Sequence, residues 1–276
     1  MGYKTAVSTG DMVAVQVLFG LAIASFFALV VLEKIKPYRR FTDKISKESF
    51  ITNTTAFLFN NVILTALRAT SLFFVAQQFS SHGLLSGMGN HFAKWVLTFL
   101  LYDLAIYGWH YYSHKWEWLW RFHKIHHSDK SFNVSTGFRF HVFDLFLEIP
   151  YKCLFVILIG VDAKLVLMIE TIQLFFIFFH HSNITFSQEK MLSNFIITPF
   201  LHRVHHSTLR REHDSNYGIV LAFWDRLFGT RKELVPEKIG LDIIVAENFL
   251  QLFSLAFITE RNIRRLLNII PRGKKG

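Results

Sequence analysis

Apolar residues are gathered into a few long runs along the chain, and these runs predict its secondary structure. Residues 12–32 and 92–112 are each long and apolar enough to cross a bilayer as one helix. No small-residue cleavage site follows the first run, so we expect a retained span rather than a cleaved signal peptide. Residues 50–79 are less uniform because they contain three asparagines and an arginine. That segment either spans the bilayer or lies partly in its interface.

Shorter apolar segments follow in the second half of the chain. Residues 142–159 and 163–179 are each barely long enough to cross a hydrocarbon core of ~30 Å, which leaves two tight spans or a shallow hairpin. Residues 80–90 are rich in Gly and Ser and predict a loop. We expect the more polar residues 187–240 to pack against the helix ends. Residues 251–270 have the pattern of an amphipathic helix with three arginines at the headgroup level.

This pattern predicts an all-α fold: an integral membrane bundle of about four transmembrane helices with a histidine-rich metal-binding cap on its cytoplasmic side. The composition agrees, with 51% hydrophobic residues and a mean hydropathy of +0.30. We expect one integrated domain with three regions: membrane helices in residues 1–90, a histidine-bearing region in residues 91–232, and an amphipathic, basic tail in residues 233–276. The single cysteine, Cys153, excludes an intrachain disulfide.

The formal net charge of +10 raises the possibility of nucleic-acid binding, but the basic residues flank the apolar runs instead. Six Lys or Arg lie in residues 33–48, five in residues 115–139 and six in residues 261–275, whereas residues 80–90 contain none. The positive-inside rule therefore assigns the three basic segments to the cytoplasmic face. The neighbouring histidines belong on that face too, and we expect contact with anionic lipid and none with nucleic acid.

Twelve of the fourteen histidines fall between His110 and His213, mostly at metal-ligand spacing. His110 and His114 form an H-x3-H pair, and residues four apart share one face of a helix. An H-x2-HH motif follows at residues 123–127 and returns at residues 202–206, as HKIHH and HRVHH. On the other side of the membrane, His82 and His91 are better explained as ordinary polar residues. Asp103 and Tyr107 continue the His110 stripe, where they either face other helices or orient a ligand.

These motifs supply eight imidazoles, and His181 offers a ninth. One ion accepts four to six donors, so this number predicts two ions. Neutral imidazole suits iron, zinc or copper. Iron is favoured because two nitrogen-ligated irons could activate O2 beside lipid, although zinc could occupy the same ligands in a purified sample.

The motifs resemble those of the fatty acid hydroxylase/sterol desaturase superfamily of integral-membrane di-iron enzymes. The resemblance covers about residues 90–232 and extends beyond the histidines, through LWRFHKIHHSD at 119–129, RFH at 139–141, HSN at 181–183, PFLHRVHHS at 199–207 and WDRLFGT at 224–230. The branch that contains alkylglycerol monooxygenase and bacterial sterol desaturase-like proteins is the most similar. Members of that branch often carry Glu after the second histidine of the first pair, where this chain has Lys115.

The resemblance implies which residues form the site. The implied metal ligands are His110, His114, His123, His126, His127, His181, His202, His205 and His206. Residues that either support these ligands or face the substrate are His141, His180, His213, Asp214 and Asn216, besides Asp103 and Tyr107. We expect no catalytic residue separate from the metal ligands.

The resemblance also implies the chemistry and its partners. The enzyme would use O2 and external electrons to hydroxylate or desaturate a lipid drawn from the bilayer, such as an acyl chain, a sterol or an ether lipid; ether cleavage and demethylation also remain open. A separate reductase, cytochrome b5-like or ferredoxin-like protein would donate the electrons, since the sequence contains no Gly-rich dinucleotide fingerprint. The implied location is a bacterial inner membrane or the endoplasmic reticulum.

Two other classes of protein compete with this interpretation. A b-type cytochrome would need one histidine from each of two facing helices inside the membrane, which clusters of three at membrane edges fit poorly. A histidine-rich membrane protein that binds or transports metal without oxygenase activity would place ligands along its spans. Here the spans are apolar up to their cytoplasmic ends.

Overall fold

A computed structural model describes residues 9–67, 72–241 and 246–258, and in these residues the chain is helical with no strand beyond isolated bridges. The predicted all-α class is confirmed for this part of the chain. The long helices are α1 (Thr9–Ile35), α2 (Asp43–Ala66), α4 (His91–Lys115), α6 (Val142–Ile159) and α7 (Ala163–His181). The shorter ones are α3 (Leu72–Phe79), α5 (Glu117–His127), α8 (Glu189–Leu192), α9 (Pro199–His205), α10 (Arg210–His213), α11 (Phe223–Leu227), α12 (Phe249–Leu255) and a 3-10 helix (Val134–Phe138).

The long helices form a bundle with an apolar core and an apolar outer surface. Tyr102 and Ile106 of α4 are buried against Val156 of α6 and Ile169 of α7. The outward face of α1 is also apolar, as at Phe27, which is 61% exposed. Such a face is suited to lipid rather than to water.

Among the described residues, two helical segments are long and apolar enough to cross a membrane, Gln16–Ile35 and Ala163–His181. The other segments predicted to span are helical but are either less apolar or contain more charged residues. In α6, for example, Asp144, Glu148 and Lys152 interrupt the apolar run. The count of about four crossings therefore stays a prediction, as does the cytoplasmic orientation.

The segment predicted at residues 50–79 contains two helices, since α2 ends at Ala66 and α3 begins at Leu72. Its polar residues face inward: Asn53 and Asn60 are buried, whereas Leu58 and Val62 on the same helix are exposed. The mixed hydropathy of α2 thus reflects a polar face turned toward the protein. This face contacts the loop that follows α5, where Asn53 donates a hydrogen bond to Asp129 at 2.8 Å.

The bundle end away from most histidines is closed by the loop at residues 80–90, in agreement with the predicted loop. Backbone N–H groups of Leu84 and Leu85 donate to the carbonyls of Leu158 and Ile159 at 2.9 and 2.8 Å. Gly160 ends α6 in the left-handed region, with φ of 75°. There a Cβ would overlap the carbonyl of His82. Only glycine tolerates both constraints.

We therefore expect Gly160→Ala to destabilise the protein by on the order of 2 kcal/mol or more, because it combines an unfavourable φ with a backbone clash. The unfolding temperature measured in lipid nanodiscs checks this. Gly20→Ala is the matched control, since no atom lies within 4 Å of a Cβ there and alanine favours a helix. Equal unfolding temperatures for Gly160→Ala and the wild type would contradict the prediction.

The predicted amphipathic helix at residues 251–270 is described only as far as residue 258. Within that range α12 ends at Leu255, and its Leu252 and Leu255 are buried. The ring of Phe249 packs 5.0 Å from that of Phe59 on α2. Residues 259–276, which include Arg261, Arg264 and Arg265, lie outside the described residues.

Candidate metal centre

Four helix segments bring the histidines to one end of the bundle. The last turns of α4 carry His110 and His114, and α7 ends on His181. The motif at 123–127 lies on α5, and the motif at 202–206 lies on α9 and the residue that follows it. All nine of these side chains are buried.

The nine predicted ligands come together in two groups, in each of which one ligand nitrogen from every member lies within 4.8 Å of the others. The five-histidine group contains His110, His114, His123, His127 and His205. The four-histidine group contains His126, His181, His202 and His206. This division supports the predicted pair of metal positions.

Helix geometry explains which histidines share a group. Residues four apart lie on one face, so His123 and His127 join one group, and His202 and His206 join the other. The remaining histidine of each motif points about 100° away from its neighbour and joins the opposite group. Each H-x2-HH motif therefore contributes to both positions and ties the two groups together.

The ring nitrogens fit bound metal ions. The buried Nε2 atoms of His110, His123 and His205 have no hydrogen-bond partner among the described residues. In the four-histidine group, Nε2 of His181 lies 3.0 Å from Nε2 of both His126 and His202. Adjacent nitrogens around an octahedral ion at ~2.1 Å would be about 3 Å apart. Unpaired buried nitrogens are otherwise costly, so this donor set is suited to metal.

The electrostatics keep the imidazoles neutral, which is the form that binds metal. Burial lowers the pKa of His126, His127 and His206 well below its ordinary value, and repulsion from neighbouring histidines lowers it further. The pKa of His202 and of His205 is lowered in the same direction by the same causes. A cluster of this density would otherwise be destabilised by protonation.

Similarity to known proteins agrees with this centre. The sequence profile of the fatty acid hydroxylase family matches residues 95–230, just under half of the chain and the part that contains all nine histidines. This region of the chain is similar to the fatty acid hydroxylase family. The predicted resemblance is thereby confirmed.

Several proteins similar to this chain act on lipids. The ornithine lipid hydroxylase OlsE of Rhizobium tropici is 29% identical over 77% of this chain and 66% of its own length. Alkylglycerol monooxygenase of Danio rerio is 28% identical over 74% of this chain and 46% of its own length. Human cholesterol 25-hydroxylase is 29% identical over 52% of this chain and 53% of its own length. The chain thus spans about half to two thirds of these relatives, and no solved structure matches it.

The carboxylate–histidine interpretation expected Asp103 and Tyr107 to contact a ligand histidine directly. They instead contact an intervening segment of the chain. The carboxylate of Asp103 accepts hydrogen bonds from the backbone of Val220 and Leu221 and from Trp224 Nε1, the last at 3.0 Å. The Tyr107 hydroxyl lies 2.9 Å from Thr230 Oγ1. Both residues fix the segment after α10, which in turn contacts the ligands.

Neither His180 nor His141 is a member of the two histidine groups. The His180 ring lies 4.0 Å from that of His202, and its Nδ1 is 3.2 Å from the carbonyl oxygen of Ile219. His141 accepts a hydrogen bond from Phe143 N–H at the start of α6. Burial lowers the pKa of His141 to about 4.

The other residues implied by the resemblance surround the five-histidine group. Asp214 lies 3.4 Å from Nδ1 of His114 and pairs with Lys115 at 3.0 Å, and His213 completes a third potential ligand group with His114 and Asp214. The Asn216 amide donates to the carbonyls of Leu201 and Lys232 at 3.0 and 2.8 Å. Asn216 thus holds this loop in place.

Sequence reasoning missed two carboxylates beside the centre. Asp144 lies 3.0 Å from Nδ1 of His123. Asp225 accepts from the backbone N–H of Tyr217 and of Gly218 at 2.7 and 2.8 Å. The detectable signal for Asp144 was a carboxylate three residues after His141, near the start of a largely apolar run. Asp225 stood within a family motif without an assigned role.

Proposed function

We propose that the chain is a membrane-bound di-iron hydroxylase that uses O2 and electrons from a separate protein to hydroxylate a lipid. The observation that carries this proposal is the double group of nine buried histidines at one end of an apolar bundle. The match to the fatty acid hydroxylase family and the similarity to enzymes that act on lipids support it. The nine histidines are the proposed ligands of the two ions.

Iron is the proposed metal because bound iron would supply the O2 activation that hydroxylation of an unactivated C–H bond requires. A nitrogen donor set binds zinc as well, so zinc is able to occupy the same ligands in a purified sample. The protein contributes neutral ligands, fixed ring orientations and exclusion of water. His127, His205 and His206 have no exposed surface, which keeps bulk water from the reacting atoms.

Aromatic residues offer an apolar approach from the lipid-facing surface to the four-histidine group. The Phe57 ring, 40% exposed on α2, lies 4.6 Å from that of Phe138. Two residues further on, Phe140 stacks on His126 at 4.5 Å. Phe132 lies 5.1 Å from His206 and adopts a left-handed φ of 41°, which is strained for a bulky residue and is typical of functional sites. We infer that the hydrocarbon part of the substrate enters along these phenylalanine rings.

The finer parts of the proposal follow from the same arrangement. The histidines lie at the ends of helices rather than along spans, which favours an enzyme over a metal transporter without oxygenase activity. The electron donor is a separate reductase, cytochrome b5-like or ferredoxin-like protein. The basic segments around the histidines favour a cytoplasmic site, in a bacterial inner membrane or the endoplasmic reticulum.

The test is lipid analysis of cells that express the chain with a compatible electron donor under ¹⁸O2. We expect one lipid class to gain a single ¹⁸O atom, because a hydroxylase transfers one oxygen atom of O2 to its product. Cells that express the chain without a donor provide the control. A lipid that loses two hydrogens without gaining oxygen would indicate desaturation instead. No change in any lipid, together with metal bound to the histidines, would favour the metal-binding alternative.

A further inference from the structure

The two groups of histidines differ in what holds their rings. An imidazole that binds metal through one nitrogen is oriented by the partner of its other nitrogen, and removal of such a partner typically weakens metal binding 10- to 100-fold. The partners of the Nδ1 atoms therefore indicate how firmly each position is prepared for an ion.

Three of the five rings in the five-histidine group have a hydrogen-bond partner at Nδ1. Nδ1 of His110 lies 2.7 Å from the carbonyl oxygen of Tyr217, and Nδ1 of His205 lies 2.7 Å from that of Ser215. Nδ1 of His123 lies 3.0 Å from the buried carboxylate of Asp144. The Nδ1 atoms of His114 and His127 have no hydrogen-bond partner among the described residues, although a carboxylate oxygen of Asp214 lies 3.4 Å from Nδ1 of His114.

The loop that supplies the two carbonyls is itself held by buried polar contacts. Asn216, between Ser215 and Tyr217, has a left-handed φ of 54°, and its side chain is hydrogen-bonded on both sides of the loop. Asp225 is fully buried and binds the backbone N–H of Tyr217 at 2.7 Å. Both carbonyls contact rings of the five-histidine group, so this loop orients ligands of that group and not of the four-histidine group.

The four-histidine group has little comparable support. Only His181 has a backbone partner behind it, the carbonyl oxygen of Ile177 at 2.7 Å. The buried Nδ1 atoms of His126, His202 and His206 have no hydrogen-bond partner among the described residues. No carboxylate is hydrogen-bonded to a ring of the four-histidine group in the described part of the chain. In the five-histidine group, by contrast, the carboxylate of Asp144 contacts Nδ1 of His123.

From this difference we propose that the two metal positions are unequal, with Asp144 and the 215–217 carbonyls acting as positioning groups. The five-histidine position fills first and retains its ion. The four-histidine position has one ligand fewer and less support, so it fills second and exchanges its ion more readily. This inference rests on the proposed function only in requiring that both positions bind metal.

The test is a titration of the purified, metal-free full-length protein with Co²⁺, followed by its absorption spectrum and by competition with a chelator. We expect two binding steps with dissociation constants at least ~10-fold apart. The neighbouring residues His205 and His206 provide a matched pair of variants. His206→Ala should retain the tight step, and His205→Ala should lose it. A single step for two ions, or the reverse behaviour of the pair, would overturn the proposal.

Asp144→Asn tests the positioning role separately. It should weaken the tight step by about 10- to 100-fold and leave the weak step unchanged. Asp162→Asn is the control, because Asp162 caps α7 through the N–H of Leu165 and asparagine caps a helix equally well. Equal effects of the two variants would refute the role of Asp144. Unequal Co²⁺ steps without lipid turnover would refute the proposed function and leave this inference intact.

Discussion

His126→Ala is expected to lower the formation of oxygenated lipid by on the order of 1000-fold or more, the loss typical of removing an essential group from a catalytic unit. The Nε2 atom of His126 lies 3.0 Å from that of His181, and both belong to the four-histidine group. Without it, three nitrogens remain at a position that already has the fewer ligands. We expect the iron content to fall from about two ions to about one per chain. Metal analysis and quantitative lipid analysis of the same membranes measure both effects.

The control for this experiment is His82→Ala. The side chain of His82 lies in the loop at residues 80–90 and contacts Ser81 there. It belongs to none of the candidate metal groups. Its replacement should leave iron content and turnover as in the wild type. Persistent turnover in His126→Ala would contradict the proposed catalytic centre, whereas equal losses in both variants would indicate a general defect in folding.

The sequence predicted the members of the candidate centre because the relevant spacing is local. Histidines three or four apart converge wherever the segment is helical, so HKIHH and HRVHH were informative without any tertiary contact. The division into groups was not predictable in this way. His126 and His127 are adjacent in the sequence but join different groups. The partners of His127 come from α4 and α9, whereas those of His126 come from α7 and from the motif at 202–206.

Contacts distant in sequence were missed for the same reason. The carbonyls behind His110 and His205 are backbone atoms of residues 215 and 217, and no side-chain pattern marks a backbone acceptor. Asp103 lies on the same helix face as His110. It nevertheless accepts a hydrogen bond from Trp224, because the segment after α10 lies between Asp103 and the metal centre. Helical periodicity therefore identified the face of α4 that carries Asp103, but not the segment that packs against this face.

Prediction of the fold from the sequence had a similar limit. Apolar runs predicted α1, α4, α6 and α7 well because continuous burial in lipid or in the bundle requires continuous hydrophobicity. The asparagines of α2 were ambiguous, since a polar residue in an apolar run is compatible with an interfacial helix or with a buried network. Only the position of Asp129 decides between them, because Asn53 donates to it at 2.8 Å.

Asp129 is the centre of that buried network, directly after the first H-x2-HH motif. Its carboxylate accepts hydrogen bonds from Ser49 and Asn53 of α2 and from Thr136 of the 3-10 helix, each at 2.8 Å to the nearer oxygen. Burial raises the pKa of Asp129, but the charge of Arg139 and these hydrogen bonds lower it more, so the net shift is downward. Asp129 therefore stays ionised and balances the buried Arg139.

Asp129→Ala should consequently destabilise the protein by about 3–5 kcal/mol, because it leaves the buried charge of Arg139 uncompensated and the buried donors of Ser49, Asn53 and Thr136 without their acceptor. Arg139 is 1% exposed and cannot turn to solvent for compensation. Adding Arg139→Met to this variant should recover part of the loss, because the unpaired charge is removed. Unfolding in nanodiscs measures all three proteins, with Lys44→Ala as the control from a largely exposed pair on α2. If the double variant were less stable than Asp129→Ala, the buried charge of Arg139 could not be the cause, and the loss would instead arise from the hydrogen bonds that join α2 to the histidine motif.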